Sequence, residues 1–233
     1  MSSQTNVVLV HGAWCDGSSW SGVIPFLQDA GCRVIAVQLP LNGLAGDVAI
    51  TQQALASLQS PTILVGHSYG GAVISGAGTG ATNVVGLVYV AAYAPAEGET
   101  ILDINGRFAS TAGVNFIRPA YGEGKLWIDP DAFPGVFVPD VDPAQGKVLA
   151  AVQNPITGAT FADKATAPAW QNLPSWYIVS AQDQIINPDA ERWMAERIGA
   201  TTSTLQSSHA SPVSHPGDVA AVILEAARAK ALA

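Results

Sequence analysis

The chain has 233 residues, of which 48% are hydrophobic and only 12% charged, the second about half the usual globular share. That length suits one α/β domain with a large buried core, and so apolar a composition excludes a disordered chain. The formal net charge is −8 and the ten Lys and Arg residues are scattered, so no basic cluster exists to grip nucleic acid.

The apolar runs Val7–Val10, Ile63–Val65 and Val84–Val90 have the length of buried strands and are far too short to cross a bilayer. Cys15 and Cys32 are too few for a disulfide framework and read as reduced small hydrophobes. No lysine-plus-apolar signal segment precedes the first strand, so a cytoplasmic location with no membrane partner is the expectation.

Apolar runs alternate with helical patterns along the chain, the signature of βαβ units and a parallel sheet. Val7–Val10 is the first strand, followed by the loop His11–Ser19 and a helix over Trp20–Ala30. Ser18 or Ser19 is available to cap that helix and Gly31 to close it. Val34–Val37 is the next strand, Ala45–Leu58 a helix, and Thr62–Val65 a strand. A helix must begin near Tyr69 and reach about Ala77, before the strand Val84–Val90.

From about Pro95 to Leu173 the rhythm breaks, and Pro, Gly and aromatic residues crowd together. So long a stretch inside a regular α/β chain predicts an inserted cap with short helices or a hairpin. The expected division is a core of residues 1–95 and 171–233 with a cap of 96–170. Alternation returns with the strand Trp176–Ser180, the helix Asp189–Ile198, a short strand near Thr202–Leu205 and the helix Asp218–Ala229. The predicted architecture is a mostly parallel, doubly wound sheet with one insertion.

Gly66-His67-Ser68-Tyr69-Gly70 fits G-x-S-x-G, which a chain this long would match by chance roughly 0.15 times. Its setting is more specific, with Ile63–Val65 before it and a helix-forming stretch after it. At such a strand–turn–helix corner a serine is held in strained backbone, its hydroxyl clear of the sheet. Residues two before and two after it face each other across the turn, where only glycine avoids a clash. A helix starting at Tyr69 points free N–H groups and its positive end at the serine. The Tyr69 N–H is thus one expected oxyanion donor. The second is the Ala13 N–H, in a loop where Gly12 lets the backbone come close.

A nucleophilic serine needs a general base, and the chain has four histidines. His11 and His67 lie within the two motifs just described and are assigned packing roles. His209 follows the last strand, where a loop can overhang the carboxyl edge of the sheet; His215 precedes Pro216 at the start of the last helix and suits capping. His209 is the expected base, with His215 second. The orienting carboxylate should follow the penultimate strand, because the chain order is Ser, then Asp or Glu, then His. Asp183 meets that condition, whereas Asp189 and Asp218 open helices and are accounted for as partners of the helix dipole.

The segments Val8–Trp14 with Trp20, Gly66–Gly70, Tyr177–Asp183 and Ser208-His209 resemble the plant methylesterase and hydroxynitrile lyase family and its bacterial esterase relatives. The resemblance covers about residues 7–95 and 174–225 and fades across the cap. It implies the α/β-hydrolase fold, ester hydrolysis and no cofactor or metal. The lyase branch carries a polar side chain after the first-strand histidine and a lysine after the catalytic histidine. Here those positions are Gly12 and Ala210, so the cation that would hold departing cyanide is missing and hydrolysis is favoured.

The expected function is therefore a serine carboxylesterase for small uncharged esters. Trp14, Phe108, Tyr121, Trp127, Phe133 and Phe137 are the expected substrate-binding residues, although these rings and Trp170 could equally form a core for the cap. Two rival readings stay open: a cofactor-free lyase on the same triad, and a catalytically weak small-molecule receptor. A zinc site lacks H-E-x-x-H spacing, and Trp14 stands where a dinucleotide fold would need glycine. A small-molecule ester is the expected partner, and the sequence leaves room for a homodimer.

Overall fold

The computed structural model describes residues 4–231. Strand β1 (Asn6–Val10) is buried along its whole length. It leads through a 3-10 turn at Gly17–Trp20 into α1 (Ile24–Asp29). The helix starts later than its apolar pattern suggests, because Pro25 lacks an N–H and fits only in a first turn. The cap of the preceding turn is Asp16, which accepts the Ser18 N–H at 2.7 Å, so neither Ser18 nor Ser19 plays that part. Gly31, at φ 83°, closes the segment in the left-handed region that glycine tolerates.

Next come β2 (Arg33–Val37), α2 (Leu44–Ala56), β3 (Thr62–His67), α3 (Tyr69–Ala77) and β4 (Val84–Val90). The insertion that follows contains α4 (Ile101–Asn105), an antiparallel hairpin of β5 (Ile117–Pro119) and β6 (Lys125–Ile128), then α5 (Phe133–Val136) and α6 (Pro143–Ala151). Its last strand, β7 (Ile156–Thr157), pairs with β6. The regular alternation resumes with β8 (Ser175–Ser180), α7 (Pro188–Arg197), β9 (Thr201–Leu205), α8 (Ser211–Ser214) and α9 (Pro216–Ala231).

The main sheet has six parallel strands in the order β2-β1-β3-β4-β8-β9. Strands β1, β3, β4 and β8 lie inside the sheet and are covered on both faces, which is why they read as unbroken apolar runs. Side chains alternate between the faces. Val7, Leu9, Ile63, Val65, Val88 and Ile178 meet Leu27 of α1 and Val219 and Ile223 of α9. Val8, Val10, Leu64, Leu87, Tyr89 and Val179 pack with residues of α2, α3 and α7. Each such side chain stabilises the fold by about 1.5–3 kcal/mol on full burial. Ile128, Phe133, Phe137, Val138 and Ile156 of the insertion belong to that second apolar body.

Strand order reverses between β1 and β3, a switch point that opens a crevice at the carboxyl edge of the sheet. The loop after β1 and the turn after β3 both emerge there. Among the described residues no helix is long and apolar enough to cross a membrane.

Candidate active site

Ser68 occupies the turn from β3 to α3 with φ 53° and ψ −124°, a conformation that costs a non-glycine residue about 1–3 kcal/mol. Surrounding hydrogen bonds hold it there. Its N–H donates to the Val90 carbonyl at 3.1 Å, and its carbonyl accepts from the N–H groups of Gly71 at 3.0 Å and Tyr93 at 3.1 Å. A Cβ on Gly66 would stand 2.5 Å from the Gly70 carbonyl oxygen, and one on Gly70 would stand 2.6 Å from that of Val10. Both positions therefore exclude a side chain.

The Ser68 hydroxyl meets Nε2 of His209 at 2.9 Å, and Nδ1 of the same ring lies 2.5 Å from Oδ2 of Asp183. Nδ1–H donates to the carboxylate, which leaves Nε2 free to accept the serine proton. Asp183 is fixed through its other oxygen, Oδ1, which accepts the N–H groups of Ile185 at 2.6 Å and Ile186 at 2.9 Å. Asp183 leaves the end of β8 and His209 follows β9, so all three groups converge on the carboxyl edge of the sheet. All three residues are buried.

The other two motif histidines brace this arrangement. His11 accepts the Leu39 N–H on Nε2 at 3.0 Å, so its proton sits on Nδ1 and donates to the Gly12 carbonyl at 2.9 Å. That bond fixes the plane of the peptide whose N–H belongs to Ala13. Burial lowers the pKa of His11 and keeps the ring neutral. Among the described residues, the N–H groups of Ala13 and Tyr69 donate to no group of the chain. The Tyr69 hydroxyl donates to Asp47 at 2.7 Å, and Asp47 also accepts the Leu41 N–H at 3.1 Å. Burial raises the pKa of Asp47 despite those donors.

The loop carrying His209 is tied to the insertion. Asp140 accepts the Ser208 N–H at 2.8 Å and the Ser208 hydroxyl at 2.5 Å. Burial alone would raise the Asp140 pKa; the Ser208 and Ser214 hydrogen bonds and its own backbone N–H together outweigh it and hold the carboxyl below its ordinary range. His215 pairs with the neighbouring Ser214 hydroxyl at 2.8 Å and lies 3.8 Å from Asp140, apart from Ser68. Asp189 forms an exposed ion pair with Arg192 at 2.7 Å, and Asp218 stands in the first turn of α9.

A cavity of about 30 Å³ flanks the site, with Trp14, His67, Phe133, Phe137, Ala210 and Val213 in its walls. That is room for one water-sized group. Three of the six rings singled out in the sequence thus meet here. Phe137 stands edge-on to His209, ring centroids 4.9 Å apart. The other three do not line this cavity. Phe108 packs against Trp193 at 5.8 Å, and Tyr121 is exposed against the edge of Trp127. Trp170 donates to the Pro95 carbonyl at 3.1 Å.

Three carboxylates near the site, Asp47, Asp140 and Glu191, do not stand out in the sequence. Asp47 and Asp140 give no local signal, Asp140 because it acts on a residue 68 positions away. Glu191 does give one: Ala190, Glu191, Met194 and Ala195 form the buried stripe of α7, and a glutamate on an apolar stripe needs a partner.

The chain belongs to the alpha/beta hydrolase family, whose model matches residues 7–222. A pyrethroid hydrolase of Sphingobium wenxiniae is 26% identical over 259 residues, covering 97% of this chain and 89% of the relative. A crystal structure of a pyrethroid hydrolase superposes with a TM-score of 0.84 at 24% identity, covering 98% of this chain and 99% of that one. A carbendazim-hydrolysing esterase of a Nocardioides species is 34% identical over 113 residues, 42% of this chain and 46% of the relative. The plant resemblance read from the motifs has its counterpart in a methylesterase from Arabidopsis. Its crystal structure shares the fold with a TM-score of 0.81 and 20% identity, over 96% of this chain and 99% of that one.

Proposed function

We propose that this protein is a serine carboxylesterase that hydrolyses small uncharged esters by acyl transfer through Ser68. The observation that carries the reading is the unbroken hydrogen-bonded series from the Ser68 hydroxyl through His209 to Asp183. His209 takes the serine proton as Ser68 attacks the ester carbonyl, then gives it to the departing alcohol. The tetrahedral oxyanion rests on the N–H groups of Ala13 and Tyr69, each worth about 3 kcal/mol in kcat. Water activated by His209 then releases the acid and restores the serine. Asp183 holds the ring in its working tautomer and stabilises the imidazolium. No step calls for a metal or cofactor.

The relatives named a pyrethroid hydrolase and a carbendazim-hydrolysing esterase support hydrolysis of an ester as the reaction. Residues 96–170 act as a cap over the substrate in this reading. The largely apolar walls of the cavity beside the site favour uncharged groups. Gly12 and Ala210 stand where a lyase would need a polar side chain and a cation.

The test is labelling by a fluorophosphonate probe, with the modified residue located by mass spectrometry, beside turnover of p-nitrophenyl acetate. The proposal expects label on Ser68 and loss of both signals in Ser68→Ala with the fold retained. Folded protein whose Ser68 stays inert supports a receptor instead, and cleavage of a cyanohydrin without ester turnover supports a lyase.

A further inference from the structure

Glu191 stands on α7 with its side chain fully buried, and no step of the proposed reaction uses it. Its Oε2 accepts the Ser180 N–H at 2.9 Å. Its Oε1 receives no hydrogen bond among the described residues, and Ser180 joins Glu191 to Asp183, whose own N–H donates to the Ser180 carbonyl at 3.2 Å. The charged and titratable groups around this pair are otherwise engaged. Arg192 turns to the surface and pairs with Asp189. The Tyr177 hydroxyl donates to the Ala92 carbonyl, and the Tyr93 hydroxyl to Asn105 at 3.0 Å.

Two buried carboxylates joined through one residue do not both hold a charge without a cation between them. The number of donors decides which one does. Asp183 accepts the N–H groups of Ile185 and Ile186 as well as the His209 ring, whereas Glu191 accepts only the Ser180 N–H. Donors favour the ionised form, so of the two it is Glu191 that takes up the proton.

We propose that Glu191 is a neutral carboxylic acid whose Oε1–H donates to Asp183, making it a positioning residue for the Ser68–His209–Asp183 series. The inference rests on the catalytic reading given above. Burial, followed by the Asp183 charge, raises the Glu191 pKa well above the ordinary glutamate range, in the same sense. A neutral donor steadies the Asp183 carboxylate without adding charge behind the imidazole. An ionised glutamate would instead make the imidazolium too stable to release its proton to the leaving alcohol.

The experiment measures kcat and KM for p-nitrophenyl acetate across pH in the wild type, Glu191→Gln and Glu191→Leu, with Ser68 labelling as the control. The glutamine amide still donates to Asp183 and still accepts the Ser180 N–H, so Glu191→Gln keeps kcat within about threefold and leaves the acid limb of the profile in place. Glu191→Leu removes the donor and lowers kcat about 10- to 100-fold with KM little changed, its acid limb moving to higher pH. Infrared difference spectra of the wild type against Glu191→Gln show the carbonyl stretch of a protonated carboxylic acid, lost in the variant.

An acid limb that moves to lower pH in Glu191→Gln would mean a charged Glu191 and overturn the proposal, as would wild-type kcat in folded Glu191→Leu. Should the leucine variant fail to fold, the glutamine profile and the infrared band decide alone. An unlabelled Ser68, or turnover retained in Ser68→Ala, defeats the catalytic reading while the infrared band still reports the Glu191 proton.

Discussion

The ring of His67 donates its Nε2–H to the main-chain carbonyl of His209 at 2.9 Å, the two ring centroids 4.8 Å apart. The residue before Ser68 thus holds the backbone of His209, the proposed base. One short turn and one long-range loop are locked together by it.

The burial of this ring has a pH signature. Burial, and then the neighbouring His209, push the His67 pKa down to about 3. An unfolded chain protonates the same ring below about 6.5. Between those values the unfolded state binds more protons, so folding stability is present above about 6.5 and is lost as pH falls toward 3. The slope from this one residue is at most about 1.4 kcal/mol per pH unit. Urea midpoints from neutral to mildly acidic pH should fall more steeply in the wild type than in His67→Gln. Parallel slopes would refute the assignment.

Gly12 presses against Ser68. A Cβ there would lie 2.7 Å from the Ser68 Cβ and 3.2 Å from the His67 ring. Gly12→Ala must therefore displace either the serine or the loop that carries the Ala13 N–H. Overpacking of this kind costs about 1–3 kcal/mol in stability, and losing one aligned oxyanion donor costs about 100- to 1000-fold in kcat. Steady-state kinetics of the folded variant check this, and a kcat close to wild type would show that the loop can yield harmlessly.

Phe137 joins the cavity wall to the His209 imidazole. It is stacked on Phe133 at 4.6 Å and nearly perpendicular to His209 at 74°. Removing the ring in Phe137→Ala should destabilise the fold by about 3–5 kcal/mol. It should also enlarge a cavity that now has room for little more than a water molecule, shifting preference from acetyl toward longer acyl esters. An acyl-length series on the variant measures the shift, and unchanged selectivity would separate this cavity from the substrate's path.

Most of the sheet was legible because buried parallel strands are written as apolar runs. Val84–Val90 was located to the residue, and the other core strands differ by one or two positions at their ends. The first helix was harder, since Pro25 sets its start while the apolar periodicity runs on through it. The insertion resisted most. Helices of four or five residues such as α4 and α5 are too short to show a period, and β7 finds its partner far away in β6.

The site divides along the same line. Ser68, His209 and Asp183 could be singled out because turn chemistry and chain order constrain them, and in the structure their side chains meet. Asp140, Glu191 and the final position of each aromatic ring depend on how distant segments dock. Phe108 and Phe137 look equivalent in the sequence, yet one reaches Trp193 and the other His209.

The insertion has no interior of its own. Phe133, Phe137 and Ile156 are continuous with Leu64 and Tyr89 of the sheet, and Trp14 donates to the Leu126 carbonyl at 3.1 Å across the seam. A segment joined in this way cannot swing away as a rigid flap without exposing the middle of the protein to water. Heating should therefore melt residues 96–170 and the sheet together in one calorimetric peak.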